Sequence, residues 1–478
     1  MFYACDSLLQ KSFRKADGNL LLENILTQHN GTYSSTNKLR VTILAPKFQF
    51  VCGARFIREL AKQLAKFEQV QVSMFVPEDT FYNEKEERKA KEIGVTIVKA
   101  KEQLGFSNSI EWLNYPPADL KTDIVIGVGE ELGKVAQNWK MQYQCKSIQF
   151  ACGNDWELLY HMHDTSNGYL EGASDRPIKR FRGLSLSADI PVAVGPKTAD
   201  KLTASLRSKG KQVLGFTPGI SSELSSLTQA TKDGTDFRVL FVGGINPDNS
   251  QEDGAELATK TLAELNDKSY HLIHVGAGKG REQQFANLFH QSGVPKRQFE
   301  MRNHPQTDEE WKDLLCEVDL AIMPSGDEEF GGEALLALSA GLPVLVHRES
   351  GFGRALKDVE FGQTAIVDSD DPKKWASSIK KVRETDRKTR LKQAALLRSK
   401  YDEKYSWAKQ CGALVAMMCM MASGKEFYFI FYFAFKVLIL NISNYCVGNF
   451  FLFLQVHWHD IVLINFSKLS SCKRFDKF

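Results

Sequence analysis

The feature that most constrains the fold is a repeated alternation of short apolar runs with amphipathic helical stretches. From about residue 38, the sequence alternates the runs LRVTILAP, VQVSMFVP and VTIVKA with the helical patterns ARFIRELAKQLAK and NEKEERKAKEIG. This alternation is typical of parallel strands, because each strand needs a crossover helix to reach its parallel neighbour. The sequence therefore predicts a doubly wound α/β sheet.

The alternation occurs in two series. The runs TDIVIGVG, KSIQFACG and IPVAVG extend the first series, and FRVLFVGG, YHLIHVGAG, VDLAIMPS and LPVLVHR belong to the second. Residues 221–236 between them are rich in Ser, Thr, Gly and Asp and have no apolar face, which indicates a linker. A chain of 478 residues is long enough for two lobes with separate cores. Open parallel sheets bind ligands at the carboxyl ends of their strands, so we expect a cleft between two facing lobes.

The last segment, residues 424–478, differs in composition from both lobes. It is rich in Phe, Tyr, Ile and Asn, and its apolar stretch 427–454 is long enough to span a bilayer, although Lys436 interrupts it. Two interpretations stay open: a membrane anchor, or a translated non-coding stretch. A membrane is a predicted partner only if this stretch is a genuine protein segment.

Charge and cysteine content indicate which partners and which cellular compartment to expect. The formal net charge of +3 and the lack of a basic run argue against nucleic acid as the main partner. Nine cysteines without a C-x-x-C pair are typical of reduced thiols. The amino terminus carries Asp6 and Lys11 where a secretory signal needs an apolar core. These observations predict a cytoplasmic protein.

The motif that points to chemistry is MPSGDEEFGGEALLALSAGLPVL, residues 323–345. It reads as a strand end, a glycine-rich turn, a helix and the start of another strand. A helix that begins near Gly331 and Gly332 presents free backbone N–H groups, and the glycines allow a ligand to approach closely. The pattern predicts an anion-binding site, with the carboxylate of Glu328 beside it.

The same stretch contains P-S-x-x-E-x-F-G, then a helix, then G-x-P-V, and so resembles the donor-site signature of retaining glycosyltransferases with the GT-B fold, in particular family 4. The resemblance extends over roughly residues 38–418, through FVCGARFIRELAKQLAK, FTPGI, VGAGKGRE and YSWAKQ. It implies an α/β GT-B fold of two doubly wound, Rossmann-like lobes facing across a cleft. It also implies retaining transfer from a UDP-, GDP- or ADP-sugar to an unknown acceptor, without a metal. The H-x-H pair at His161 and His163 is too weak a signal to predict a metal site.

With this resemblance, we predict six segments along the chain. They are an N-terminal extension (1–37), an acceptor-side lobe (38–220), a linker (221–236), a donor-side lobe (237–385), returning helices (386–423) and the hydrophobic aromatic tail (424–478).

The resemblance assigns a role to several residues. Glu328 would hold hydroxyls of the donor sugar and is the predicted catalytic residue. The predicted donor-binding residues are Gly53, Phe330, Gly331, Gly332, Glu333, Lys279 and Arg281. Glu333 is included because it lies one helical turn before Leu336, and Lys279 and Arg281 because they are candidate phosphate cations, as are Arg348 and Arg354.

The sequence also departs from the family pattern at three positions. Leu336 stands where the family has a carboxylate for the ribose, Gly244 where it has an arginine, and Asp253 where it has a lysine. Two hypotheses therefore stay open. The first is a working transferase with replacement contacts, and the second is a catalytically impaired, transferase-like binding or scaffold module.

Overall fold

The computed structural model describes residues 38–46, 52–79, 84–106, 108–152, 176–242, 254–276, 287, 289–305 and 307–422. The chain divides into two units, Ile25–Ala422 and a second one made of Met1–Asn24 and Ser423–Phe478. Every described residue belongs to the first unit. The predicted extension, 1–37, and the predicted tail, 424–478, lie outside the described residues.

The first lobe is a parallel sheet flanked by helices. Its strands are β1 (Leu39–Leu44), β2 (Val70–Pro77), β3 (Val95–Ala100), β4 (Ile124–Val128), β5 (Lys146–Ala151), β6 (Ile190–Val194) and β7 (Leu214–Phe216). Its helices are α1 (Cys52–Leu64), α2 (Glu84–Glu92), α3 (Gly129–Tyr143), α4 (Arg176–Ser187) and α5 (Pro196–Leu206). The strand order is β3-β2-β1-β4-β5-β6-β7, and every pairing is parallel. β4 and β6 are buried at every position because a parallel sheet is covered on both faces.

The second lobe repeats this plan after a short helix, α6 (Ser222–Ser225). Its strands are β8 (Phe237–Val242), β9 (Tyr270–Val275), β10 (Phe299–Arg302), β11 (Leu320–Met323), β12 (Val344–His347) and β13 (Ile366–Val367). Its helices are α7 (Gly254–Leu265), α8 (Asp308–Glu317), α9 (Gly332–Ser339), α10 (Gly351–Lys357) and α11 (Pro372–Glu384). The order β10-β9-β8-β11-β12-β13, again parallel throughout, confirms the prediction of two doubly wound lobes.

Two long helices complete the chain, α12 (Arg387–Tyr405) and α13 (Trp407–Ala422). Tyr401 of α12 is buried in the core of the second lobe, and its hydroxyl donates to the carbonyl oxygen of Pro218 at 2.7 Å. Trp407, the first residue of α13, packs instead in the core of the first lobe, with ring centroids 5.9 Å from Phe56 and 5.7 Å from Phe216. The chain therefore returns to the first lobe over a few residues.

Short 3₁₀ helices connect several of these elements, at Ser109–Asn114, Arg207–Lys209, Lys296–Gln298 and Gly362–Ala365. In the predicted linker, Leu224 of α6 is fully buried in the core of the second lobe.

In each sheet the strand order reverses beside the first strand of the lobe, between β1 and β4 and between β8 and β11. Ligands of doubly wound folds bind at such reversal points, so the loop after β11 is a candidate ligand-binding segment.

Candidate donor site in the cleft

The loop 324–331 follows β11 and leads into α9. Gly331 is the N-cap residue of α9 and adopts φ 90°, a left-handed conformation that favours glycine. A Cβ atom at this position would lie 2.2 Å from the Sδ atom of Met323, so the end of that side chain would also have to shift. The backbone N–H of Gly351 donates to the carbonyl oxygen of Glu328 at 2.9 Å and fixes the middle of the loop.

Three side chains of α5 in the first lobe contact this loop. The Nζ atom of Lys197 donates to the carbonyl oxygen of Gly326 at 2.7 Å and lies 3.5 Å from that of Glu328. The Nζ atom of Lys201 is 2.5 Å from Oε1 of Glu329, and the hydroxyl of Thr198 donates to the same carboxylate at 3.3 Å. Burial lowers the pKa of Lys197. The loop that carries Glu328 is thus held from both lobes.

A cavity lined by residues of both lobes lies beside this loop. It encloses about 670 Å³, part of which is open to solvent. The lining residues are Arg55, Phe56, Glu59, Pro218, Gly219, Ser221, Phe330, Gly332, Glu333, Leu335, Leu336, Ser339 and Trp407. Most of these side chains are apolar, and the polar ones come from α1, α9 and the turn that precedes α6. The cavity therefore offers a few placed polar groups in an apolar wall, as small-molecule sites usually do.

Leu336 lines this cavity and is also packed into the core of the second lobe, with 8% of its surface exposed. The position where the sequence resemblance predicts a ribose carboxylate is therefore an apolar part of the wall. Glu333 lies one turn earlier on α9 and lines the same cavity. A carboxylate is thus present in the cavity, although not at the family position.

Charged groups cluster on the α1 side of the cavity. Arg55 is buried, its Nη2 atom lies 2.9 Å from Oδ1 of Asp308, and its guanidinium carbon lies 5.7 Å from the ring centroid of Trp311. Burial raises the pKa of Glu59, and the negative charge of Glu223 acts in the same direction. Burial lowers the pKa of His304, while the charge of Glu333 opposes that shift. Charges from both lobes therefore influence one another at this end of the cleft.

Most of the predicted second-lobe residues lie together. Phe330, Gly332 and Glu333 line the cavity, while Glu328 and Gly331 lie in the loop beside it. Phe330 is buried, and its ring meets that of Phe352 edge-on at 5.9 Å, so it forms part of the wall. These placements leave their roles in ligand binding as predictions.

Three of the other predicted residues, Gly53, Arg348 and Arg354, lie in the described part of the chain. Gly53 lies in the first turn of α1, near the amino end of a helix that reaches the cavity through Arg55. Arg348 pairs with Asp368, and the Nη2 atom of Arg354 lies 2.7 Å from Oε2 of Glu349. The positions that lie outside the described residues are Lys279, Arg281, Gly244, Asp253, His161 and His163.

Three residues that line the cavity or contact the loop were not predicted from sequence: Arg55, Lys197 and Trp407. Arg55 follows the first-lobe glycine by two positions, and that spacing was an available signal. Lys197 lies in a helix assigned only to the first sheet, and no local pattern connects it with a loop 129 positions later. Over the described ranges, no group of His, Cys, Asp and Glu is arranged to hold a metal ion. None of the helices in those ranges is both long and apolar enough to cross a bilayer.

Comparison with known proteins identifies the family. A family model described as Family 4 Glycosyltransferase in conflict systems matches residues 54–414. The chain belongs to this family. The matched residues include most of α1, the loop 324–331 and the first half of α13, so the family assignment covers most of both lobes and the cavity between them.

Curated proteins match this member of the family over shorter stretches. The D-inositol 3-phosphate glycosyltransferase of Corynebacterium diphtheriae is 26% identical over 219 residues, 42% of this chain and 49% of that protein. The protein of the same name from Rhodococcus opacus is 26% identical over 181 residues, 37% of this chain and 39% of that protein. The chain thus spans about half the length, or less, of these relatives.

Solved structures share the fold over most of the chain. The sucrose-phosphate synthase from Thermosynechococcus elongatus has a TM-score of 0.60 at 14% identity and covers 81% of this chain and 100% of its own. Anabaena HepE, in complex with UDP and glucose, has a TM-score of 0.55 at 12% identity and covers 80% of this chain and 99% of its own. Together with the two parallel sheets, these similarities confirm the predicted GT-B fold.

Proposed function

We propose that this protein is a retaining glycosyltransferase that takes its sugar from a nucleotide-sugar donor. The observation that carries the proposal is the placement of the loop 324–331. It follows β11 at the strand reversal, carries Glu328, and ends at the start of α9, which opens toward an apolar cavity between the lobes. In this arrangement the second lobe, 237–385, binds the donor, and the first lobe, 38–220, binds the acceptor.

Each part of the site has a chemical role in this proposal. The carboxylate of Glu328 accepts hydrogen bonds from donor-sugar hydroxyls and orients the sugar. The free N–H groups at the start of α9, next to Gly331 and Gly332, bind the diphosphate and stabilise the charge that develops on it as the glycosidic bond breaks. Glu333 accepts hydrogen bonds from nucleoside hydroxyls, a role that Leu336 cannot perform. Catalysis therefore rests on orientation and charge stabilisation, without a side-chain nucleophile.

The similar proteins suggest which ligands to try first. HepE was solved with UDP and glucose and also with UDP-glucose, which makes UDP-sugars the first donors to test. The curated relatives are named D-inositol 3-phosphate glycosyltransferases, which makes phosphorylated polyols the first acceptors to test.

Calorimetry against UDP, GDP and ADP tests whether a donor pocket is present. We expect one of the three to bind with a dissociation constant below about 100 μM, equivalent to roughly −5.5 kcal/mol. Failure of all three nucleotides to bind at millimolar concentration would contradict the proposal.

The apolar side chain of Leu336 in the cavity wall favours the second hypothesis, an impaired binding module. That hypothesis predicts weak nucleotide binding without sugar release. Measurement of nucleoside diphosphate release in the same samples separates the two hypotheses.

A further inference from the structure

Arg55 differs from the other described basic residues of the site because it lines the cavity. Among the described residues that line the cavity, it is the only basic one. Its surface is 8% exposed, so its guanidinium group is largely removed from water. The family positions for phosphate cations, Gly244 and Asp253, carry no positive charge in this sequence.

The guanidinium group of Arg55 retains hydrogen-bonding capacity. Within the described part of the chain, its Nε, Nη1 and Nη2 atoms make no hydrogen bond. Its ion pair with Asp308, at 2.9 Å, lacks hydrogen-bond geometry, and Arg58 donates to the other oxygen of the same carboxylate at 3.2 Å. One carboxylate therefore faces two guanidinium charges. Buried donors without acceptors are costly, and an anion in the cavity would remove that cost.

The start of α9 borders the same cavity from the second lobe. Gly332 and Glu333 line it, and no side chain caps the helix at Gly331. The first N–H groups of a helix have no acceptor within the helix, and its dipole attracts negative charge there. Glu333 and Glu59 are the acidic side chains in the described lining. The raised pKa of Glu59 reduces its repulsion of an anion, and Glu333 is assigned to hydroxyl groups in the proposed function.

We propose that Arg55 binds a phosphate group of the donor together with the N–H groups at the start of α9. The inference rests on the proposed nucleotide-sugar donor. In the family pattern, the cations that bind the phosphates lie on the second lobe, at the positions of Gly244 and Asp253. In this protein, Arg55 of the first lobe would supply that positive charge. Arginine suits this role because its planar group donates two parallel hydrogen bonds to a phosphate.

The test compares two variants that share one ion-pair partner. Arg55→Gln and Arg58→Gln each remove an arginine from Asp308, but of these two arginines only Arg55 belongs to the described lining of the cavity. We expect calorimetry with UDP and with inorganic pyrophosphate to show at least about tenfold weaker binding for Arg55→Gln. Arg58→Gln should stay within about threefold of the wild type. Equal weakening in both variants, unchanged affinity in Arg55→Gln, or no binding of either probe by the wild type would overturn the inference.

A third variant keeps the inference testable if Arg55→Gln does not fold. Asp308→Asn removes the carboxylate that competes for Arg55, so we expect it to bind pyrophosphate more tightly than the wild type, with a gain that shrinks as salt rises. Weaker or unchanged binding would contradict a phosphate role for Arg55.

The outcomes also separate this inference from the proposed function. Pyrophosphate binding that depends on Arg55, without any sugar release, would support the inference and contradict the function. Sugar release by Arg55→Gln at the wild-type rate would support the proposed function and contradict the inference.

Discussion

At the scale of single residues, Glu59 and Glu223 are neighbouring carboxyl groups with opposite pKa shifts. Burial and then the charge of Glu223 raise the pKa of Glu59. Burial also raises the pKa of Glu223, but the hydrogen bond and charge of Lys62, together with the charge of Arg58, outweigh burial and lower the pKa of Glu223 to about 2. Lys62 lies 2.8 Å from Glu223 and 3.6 Å from Glu59. The shared lysine therefore stabilises the charge of one partner far more than that of the other.

The first prediction concerns the pH dependence of Glu59→Gln. A carboxyl group whose folded pKa is raised contributes stability below its unfolded pKa and loses that contribution as pH rises through the folded value. The glutamine removes a buried charge at high pH and keeps an acceptor for Gln63, which donates to Glu59 at 2.5 Å. We therefore expect Glu59→Gln to raise the melting temperature at pH 8, with a gain that disappears near pH 4.

Glu223→Gln is the matched control with the opposite sign. The lowered pKa of Glu223 contributes stability above its unfolded value that is lost as pH falls toward about 2. The control should therefore be less stable than the wild type at pH 7, and the difference should shrink in acid. A destabilising Glu59→Gln at pH 8 would contradict the account of α1.

The second prediction concerns Leu336→Glu. The new carboxylate would lie in the cavity, where it could accept hydrogen bonds from ribose, but also at the edge of the second-lobe core. We expect a loss of stability of about 1–3 kcal/mol at pH 7 and smaller at pH 5, because an apolar site favours the protonated form. UDP should bind up to about tenfold more tightly. Leu336→Met is the control, since it keeps the wall apolar; equal UDP affinity in both variants would place the ribose elsewhere.

At the scale of elements, the start of α9 determines whether an anion can approach. The helix begins with two glycines in different surroundings. Gly331 has φ 90°, where any other residue is strained, whereas a Cβ atom on Gly332 would have no heavy atom within 4 Å. The backbone conformation therefore favours glycine at the first position, and the second glycine leaves space at the cavity.

The third prediction uses this pair of glycines. Gly331→Ala should lose at least about 1 kcal/mol of stability, since alanine is strained at positive φ even before the collision is counted. Gly332→Ala should keep or slightly raise the melting temperature, because alanine favours helices over glycine. Its methyl group nevertheless points toward the proposed diphosphate, so UDP affinity should fall by at least about tenfold. Full UDP affinity in a folded Gly332→Ala protein would move the diphosphate away from α9.

At the scale of the whole molecule, the two lobes share the last helix. Trp407 opens α13 and packs among the aromatic rings of the first-lobe core, while α12 just before it packs on the second lobe. The cavity is also lined by Trp407, so the returning helix forms part of the proposed site. Stability and ligand binding are therefore connected through this helix.

The fourth prediction is that Trp407→Ala costs about 3 kcal/mol or more of unfolding free energy, the usual loss for a large core aromatic residue. Leu396→Ala on α12 is the control. Its side chain is 45% exposed, so the change should stay within about 0.5 kcal/mol. Denaturant unfolding of the three proteins measures both effects, and equal midpoints would show that α13 is not part of the first-lobe core.

The fold was predictable from sequence where apolar runs carry the signal. β4 and β6 are buried at every position, and both appear in the sequence as uninterrupted apolar runs. The loop 324–331 was also predictable, because its glycines and Glu328 are adjacent in sequence. Lys197 was not, because its contact with the loop depends on how the two lobes face each other, and residues more than a hundred positions apart have no shared local pattern. The spacing of Arg55 from the first-lobe glycine was visible in the sequence, but its place in the cavity wall depends on the fold of both lobes. Leu224 was placed in a linker although it is buried, because one apolar residue among polar ones gives no periodic signal.

The most direct test of the central claim is the release of nucleoside diphosphate from UDP-, GDP- and ADP-sugars, with and without a phosphorylated polyol as acceptor. We expect the wild type to release diphosphate from at least one donor, and Glu328→Gln to be at least about a hundredfold slower. The variant should melt within a few degrees of the wild type, because the loop is also held through the carbonyl oxygen of Glu328 and the side chain of Glu329. Release by Glu328→Gln at the wild-type rate, or no release by the wild type from any donor, would contradict the account.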